Sequence, residues 1–167
     1  MRISITKAMP EDAGALLQFL KTVGSETDNL TFGAEGLPVS VEDEEKYLDS
    51  LDSDTNIMLL AKKDGEILGC ASFNGMVRER MKHRGSIAVS VKKSHWGQGI
   101  GSMLLQAVID FARQTAKAQI ISLEVRSDNL RAIKLYEKYG FKKIGHFKGF
   151  FIIDGVDVDC DLMNLYL

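Results

Sequence analysis

Two Asp-Gly pairs, Asp64-Gly65 and Asp154-Gly155, each sit between runs rich in β-branched and aromatic residues. An Asp-Gly pair suits the two left-handed positions of a tight hairpin turn, so each marks two antiparallel strands. The first joins strands over 56–62 and 66–74, the second strands over 141–152 and 157–166. Between them the pattern changes. Ser86 to Val91 alternates apolar and polar residues as a strand does, and Ser102 to Ala116 carries Leu104, Val108 and Phe111 at helical spacing. Ile120 to Val125 reads as a strand again. A strand–helix–strand passage requires a parallel crossover, whereas hairpins give antiparallel pairing. The chain therefore has to build one mixed sheet with helices on its faces.

The remaining segments fit that plan. Residues 2–7 read as a short strand, and Pro10 with Glu11 and Asp12 opens a helix, since proline and carboxylates suit the first helical turn. Ala13, Leu16, Leu17 and Leu20 give that helix one apolar stripe as far as Val23. Residues 24–39, with several glycines and Pro38, form an irregular connection. Ser40 and Asp43 resemble a capping box for a second helix reaching Leu51. Asn129 to Lys138 is a helix closed by Gly140. The order β-α-α-β-β-β-α-β-α-β-β predicts an α/β (α+β) fold: a mixed, mostly antiparallel sheet of about seven strands flanked by about four helices. The 167 residues fit one domain over 1–167, because domains commonly hold about 100–200.

Composition excludes several classes. With 45% apolar and 26% charged residues, neither a disordered chain nor a solenoid array is expected. No apolar run approaches the roughly 20 residues that span a bilayer, and the first five residues lack a signal-peptide core, so no membrane partner is expected. Cys70 and Cys160 lie far apart and outside any metal-ligand spacing, which points to a cytoplasmic protein without a disulfide framework or metal. Charge is uneven. Up to Leu60 there are 12 acidic residues against 4 basic ones, and from Ala61 onward 11 against 17. A basic carboxyl-terminal half suits a phosphorylated ligand and an acidic amino-terminal half a cationic one, although a solvated surface of mixed sign accounts for both.

The segment Ser94-His95-Trp96-Gly97-Gln98-Gly99-Ile100-Gly101-Ser102 lies where a strand turns into a helix. Glycines there let the backbone approach a ligand, and the first helical N–H groups have no partner in the helix. Together with the positive helix end they suit a pyrophosphate. The spacing matches neither the G-x-x-x-x-G-K-S/T loop nor the G-x-G-x-x-G fingerprint, since Ser102 stands where the third glycine belongs.

Here the chain resembles the GNAT superfamily of acetyl-CoA-dependent N-acetyltransferases, whose phosphate loop reads Arg/Gln-x-x-Gly-x-Gly/Ala. Gly99 and Gly101 match its glycines, and Trp96 departs from the usual Arg or Gln. A second motif, Asn129 to Phe141, fills every fixed position of the family's N-x-x-A-x-x-L-Y-x-x-x-G-F. The resemblance implies acetyl-CoA as co-substrate, bound by the amides of Gln98, Gly99, Ile100, Gly101 and Ser102, with Trp96 as a partly buried anchor. It implies further that Val89 and Val91 offer backbone groups to the pantetheine arm and the thioester carbonyl, and that Asn129 caps its helix while reaching the cofactor. Arg131 and Lys134 suit adenosine phosphates or a solvated helix face.

Tyr136 occupies the position of the family's proton donor to the thiolate, and a phenol near pKa 10 is a proton reservoir at neutral pH. A core residue one turn from Ala132 and Gly140 is the other reading. The strand before the glycine turn lacks the carboxylate that serves many relatives as base, which leaves Glu124, His83, and a water held by Ser90 as candidates.

The acceptor is expected against the first two helices and their connection. Glu26, Asp28 and Glu35, with Glu42 to Glu45 nearby, suit a small cationic amine such as a polyamine, or a protein amine. A non-catalytic acetyl-CoA sensor or scaffold is the alternative. The basic segment Arg78 to Arg84 has no interleaved aromatics and does not make a nucleic-acid binder. Edge strands leave room for a homodimer.

Overall fold

The computed structural model of the protein describes residues 2–51 and 53–167; Met1 and Asp52 lie outside the described residues. Among these residues seven strands form one sheet: β1 (Ser4–Lys7), β2 (Asn56–Lys63), β3 (Glu66–Gly75), β4 (Arg84–Val91), β5 (Ile120–Arg126), β6 (Lys142–Ile153) and β7 (Val156–Tyr166). Their order across the sheet is β1-β2-β3-β4-β5-β7-β6. Every neighbouring pair is antiparallel except β4 with β5. Among the described residues four α-helices accompany it: α1 (Ala13–Glu26), α2 (Val41–Ser50), α3 (Ile100–Gln114) and α4 (Leu130–Lys138). This is the mixed, mostly antiparallel sheet that the element order predicts.

Both Asp-Gly pairs form their turns as expected, with positive φ at Asp64 (53°) and Gly65 (82°) and at Asp154 (51°) and Gly155 (78°). Ser40 caps α2, its hydroxyl accepting from the Asp43 amide at 3.1 Å. Pro10–Asp12 departs from expectation. It is a 3-10 turn, and α1 starts at Ala13 and runs on to Glu26. The Asp12 carboxylate closes that turn by accepting from the Met9 amide at 2.9 Å and pairs with Lys62 on β2 at 2.6 Å, which pins the turn to the sheet.

The sheet carries two apolar layers. On one face Leu16, Phe19, Leu20 and Val23 of α1 and Leu48 of α2 pack over Leu60, Ile67 and Cys70. On the other, Ile100, Leu104, Leu105, Val108 and Ile109 of α3, with Tyr136 of α4, pack over Phe73, Ile87, Ile121, Leu123 and Met163. At roughly 1.5–3 kcal/mol per large side chain buried, the α3 stripe fixes that helix, and with it the glycine turn, against β4. Gly69 allows the close approach: a Cβ there would stand 2.9 Å from Leu104 Cδ1 and 3.0 Å from the Ser90 carbonyl. No helix among the described residues is long and apolar enough to cross a membrane.

Candidate active site

The parallel pair β4 and β5 stays together only over Arg84↔Ile120, Gly85↔Ile121 and Ser86↔Ser122. Beyond these residues the two strands part, although β4 continues to Val91 and β5 to Arg126. On its other side β4 remains paired with β3 throughout, from Gly75↔Gly85 to Gly69↔Val91. The Lys92 amide donates to Leu68 at 2.9 Å and the Met76 amide to Arg84 at 3.0 Å. In an antiparallel ladder hydrogen-bonded and non-hydrogen-bonded pairs alternate. Ser86, Ala88 and Ser90 therefore bond to β3, while Ile87, Val89 and Val91 turn their N–H and C=O groups toward the gap. This parity aims both backbone groups of Val89 and the N–H of Val91 at the opening, the Val91 carbonyl being taken by a side chain of the glycine turn.

A cavity of about 380 Å³ occupies the gap. Val89, Ser90 and Val91 line it from β4, Gly99 to Ser102 from the start of α3, and Asn129, Arg131 and Tyr136 from the start and body of α4. Val23, Thr27, Asn29 and Leu30 close it from α1 and the following connection.

The glycine turn presents donors to this space. Gly97 (φ 77°) and Gly99 (φ 81°) are left-handed, a conformation that favours glycine. The first bond of α3 runs from the Met103 amide to the Gly99 carbonyl at 3.0 Å. Among the described residues the amides of Gly99, Ile100, Gly101 and Ser102 donate to no protein acceptor, as the first turn of a helix requires. A Cβ on Gly99 would meet nothing within 4 Å, and Gly99 to Ser102 all line the cavity. Open amides at a positive helix end fit a diphosphate.

Trp96, the departure from the Arg/Gln pattern, anchors the turn. Its indole Nε1 donates to the gap-facing Val91 carbonyl at 2.9 Å, and the Arg131 guanidinium lies over its ring at 5.0 Å from the centroid. Asn129 caps α4, its side-chain oxygen accepting from the Ala132 amide at 3.3 Å.

Tyr136 is 8% exposed and stacks edge-on against Phe141, with ring centroids 5.7 Å apart. Its hydroxyl has no hydrogen bond, yet among the described residues no fully buried side-chain polar atom lacks a partner. The hydroxyl therefore reaches the cavity. Burial pushes the phenol up to about 12, so it stays protonated through the neutral range.

Other candidate residues lie elsewhere. Gln98 is part of the glycine turn but does not line the cavity. His83 precedes β4 at the end away from the turn, and its carbonyl accepts from Gln119 at 2.6 Å and Ile120 at 3.2 Å. Eight strand residues at roughly 3.3 Å each separate it from the turn. Glu124 lies on the parted stretch of β5, exposed on the face opposite α3 and α4. Lys134 is exposed on α4 and does not line the cavity.

The acidic residues are engaged otherwise. The Glu26 carboxylate accepts from the Lys93 amide at 2.8 Å, and that of Glu35 accepts from the Gly33 amide at 2.9 Å, which holds it below the usual carboxylate range. The Asp28 carbonyl accepts from Arg126 at 3.3 Å while Arg126 forks onto Asp128. None of the three acids lines the cavity, yet the Glu26–Lys93 and Asp28–Arg126 bonds seat the α1–α2 connection across the gap. The lining residues Thr27 and Leu30 carried no signal, because the irregular connection that holds them gives no periodicity to read.

The profile of the Acetyltransferase (GNAT) family matches residues 26–141. The chain belongs to this family. The N-alpha-acetyltransferase RimI of Mycobacterium tuberculosis is 31% identical over 97 residues, 58% of this chain, and the match spans 59% of that relative's length. A solved acetyltransferase of the GNAT family from Streptococcus pneumoniae superposes with a TM-score of 0.95 at 32% identity, covering 99% of this chain and 100% of that one. The fold is also that of yncA, a putative acetyltransferase from Salmonella typhimurium solved with its cofactor acetyl-CoA (TM-score 0.86, 21% identity, 100% and 95% coverage).

Proposed function

We propose that the protein is an N-acetyltransferase that moves the acetyl group of acetyl-CoA to an amine by direct attack on the thioester. The observation that carries this reading is the convergence of open α3 amides, gap-facing β4 backbone and a free Tyr136 hydroxyl on one cavity. Family membership supports it. The amides of Gly99 to Ser102 hold the diphosphate, and the pantetheine arm lies along Val89 and Val91 as an added strand. A neutral amine attacks the carbonyl carbon, a C–N bond forms and the C–S bond breaks. A backbone N–H of β4 steadies the oxyanion, which is electrostatic stabilisation without a side chain. Tyr136 delivers its proton to the leaving sulfur, and the phenolate regains one from solvent. Glu124, on the parted stretch of β5, takes the ammonium proton through water. It is preferred to His83, which stands at the far end of β4.

The acceptor side favours an α-amine over a polyamine. Val23, Thr27, Asn29, Leu30 and Ser90 bring no carboxylate to the cavity, whereas a polycation requires several. The name of the RimI relative, an N-alpha-acetyltransferase, points the same way. The test is thiol release from acetyl-CoA with free amino acids, short peptides bearing a free amino terminus, spermidine, and lysine peptides blocked at the amino terminus with the ε-amine free. Turnover with the first two groups is expected. Turnover with spermidine alone overturns the acceptor class, and tight acetyl-CoA binding without thiol release from any amine favours the sensor reading.

A further inference from the structure

Lys92 stands at the N-cap of a 3-10 turn, Lys93–His95, that leads into the glycine turn, and its side chain makes no cap bond. A lysine has no acceptor to offer, so the first amide of that turn needs an oxygen from elsewhere. Glu26, the last residue of α1, supplies it. Its carboxylate accepts from the Lys93 amide at 2.8 Å, across 67 positions of sequence. The entry to α4 is tied to the same stretch of chain. Arg126 ends β5 with its side chain 21% exposed, and it forks onto Asp128 through Nε at 2.6 Å and Nη2 at 3.1 Å. Its Nη1 donates to the Asp28 carbonyl at 3.3 Å. Asp128 directly precedes Asn129, the cap of α4.

Residues 26 to 28 therefore carry one tie to each wall of the gap, Glu26 to the turn that follows β4 and Asp28 to the end of β5. Thr27 lies between the two ties, Asn29 and Leu30 directly after them, and all three line the cavity. They belong to no helix or strand, so beside the packing of Leu30 on the α1 layer it is the ties that set where they stand. We infer that Glu26 and Arg126 are positioning residues for the acceptor: each fastens this segment to one wall of the gap, and together they hold its lining residues in place for the incoming amine. Neither lines the cavity, so both act through the segment rather than on the amine. This inference rests on the acetyltransferase reading above and adds to it what sets the acceptor side. A wall held in advance saves the amine the cost of ordering it. Its loss weakens ground state and transition state alike, which raises KM and leaves kcat. A segment freed at one end is already loose, so loss of the second tie adds little.

The experiment measures kcat and KM of the full chain for the amine that thiol release identifies among free amino acids, amino-terminal peptides and spermidine. The variants are Glu26→Ala, Glu26→Gln, Arg126→Met and the double variant Glu26→Ala with Arg126→Met. Glu66→Ala is the control. Glu66 pairs with Lys92 at 2.6 Å and so ties the same turn to β3 without touching the connection. Glu26→Ala and Arg126→Met should each raise the acceptor KM about tenfold, the scale of one hydrogen bond to a charged group, with kcat within about twofold of the wild type. Glu26→Gln keeps an acceptor oxygen and should recover most of the loss. The double variant should cost no more than about twice the larger single loss, where two unconnected effects would multiply to about a hundredfold. Glu66→Ala should leave KM unchanged. Hydrogen exchange of residues 27–30 should quicken in both single variants and not in Glu66→Ala. Unchanged KM in Glu26→Ala and Arg126→Met, multiplying losses in the double variant, or an equal rise in Glu66→Ala each overturns the inference and leaves the transferase reading standing. A fall in kcat with KM constant overturns it as well. A wild type that releases no thiol with any amine overturns the transferase reading and this inference with it.

Discussion

Substituting Gly99 by alanine separates backbone strain from ligand exclusion, because the protein contains its own control. Gly99 has φ 81° and Gly65 has φ 82°, and a Cβ on either would meet nothing within 4 Å. Each substitution therefore costs only the left-handed penalty, about 1–2 kcal/mol, which lowers the melting temperature by about 2–8 °C in a chain of this size. The consequences for binding differ. Gly65 lies in the β2–β3 hairpin, whereas Gly99 lines the cavity beside the open α3 amides, where an added methyl group would meet the ligand. One charge-assisted hydrogen bond lost there is worth about 1.5–3 kcal/mol, or about 10- to 150-fold in affinity. Calorimetry with coenzyme A, beside thermal melting of both variants, provides the measurement. Equal melting shifts with a weakened Kd only for Gly99→Ala are expected. If Gly99→Ala loses no more affinity than Gly65→Ala, the amides over that space do not hold the diphosphate.

Tyr136→Phe removes a hydroxyl that has no protein partner, so stability should change by less than about 1 kcal/mol while turnover falls about 10²- to 10⁴-fold at constant coenzyme A affinity. Thiol-release kinetics at saturating acceptor check this, and an undiminished kcat removes Tyr136 from proton transfer. His146 is hydrogen-bonded to Asp161 at 3.0 Å and Asp159 at 2.8 Å, which raise its pKa from the ordinary value. A raised folded pKa contributes stability fully below the unfolded value of about 6.5, and that contribution is lost as pH rises through the folded value. The melting temperature of the wild type should therefore decline across that window relative to His146→Gln, and parallel pH profiles would refute the linkage.

The elements that local patterning specifies were legible from the residues alone. Asp64-Gly65 and Asp154-Gly155 favour positive φ through their own dihedral preferences, and Asn129 to Gly140 carries its cap, apolar stripe and stop within one short helix. The same holds for the donors of the glycine turn, since helix geometry leaves the first amides unpaired whatever surrounds them. Charge was legible only as composition. The acids at Glu26 and Glu35 suggested a cation site, yet backbone amides at Lys93 and Gly33 take up their carboxylates. Nothing in the order of residues shows which way a side chain turns once a competing donor is within reach.

The parting of β4 from β5 belongs to a different level. It depends on where two strands more than thirty residues apart stop sharing hydrogen bonds, and on the even–odd register that aims Val89 and Val91 into the space between them. Trp96 reaching the Val91 carbonyl and Arg131 settling on its ring arise in the same way. Local sequence sets which conformations a segment prefers, because those energies come from its own dihedrals and nearest neighbours. A gap, an orphaned amide facing it and a phenol at its floor are properties of segments brought together from afar, so they exist only once the whole sheet has closed.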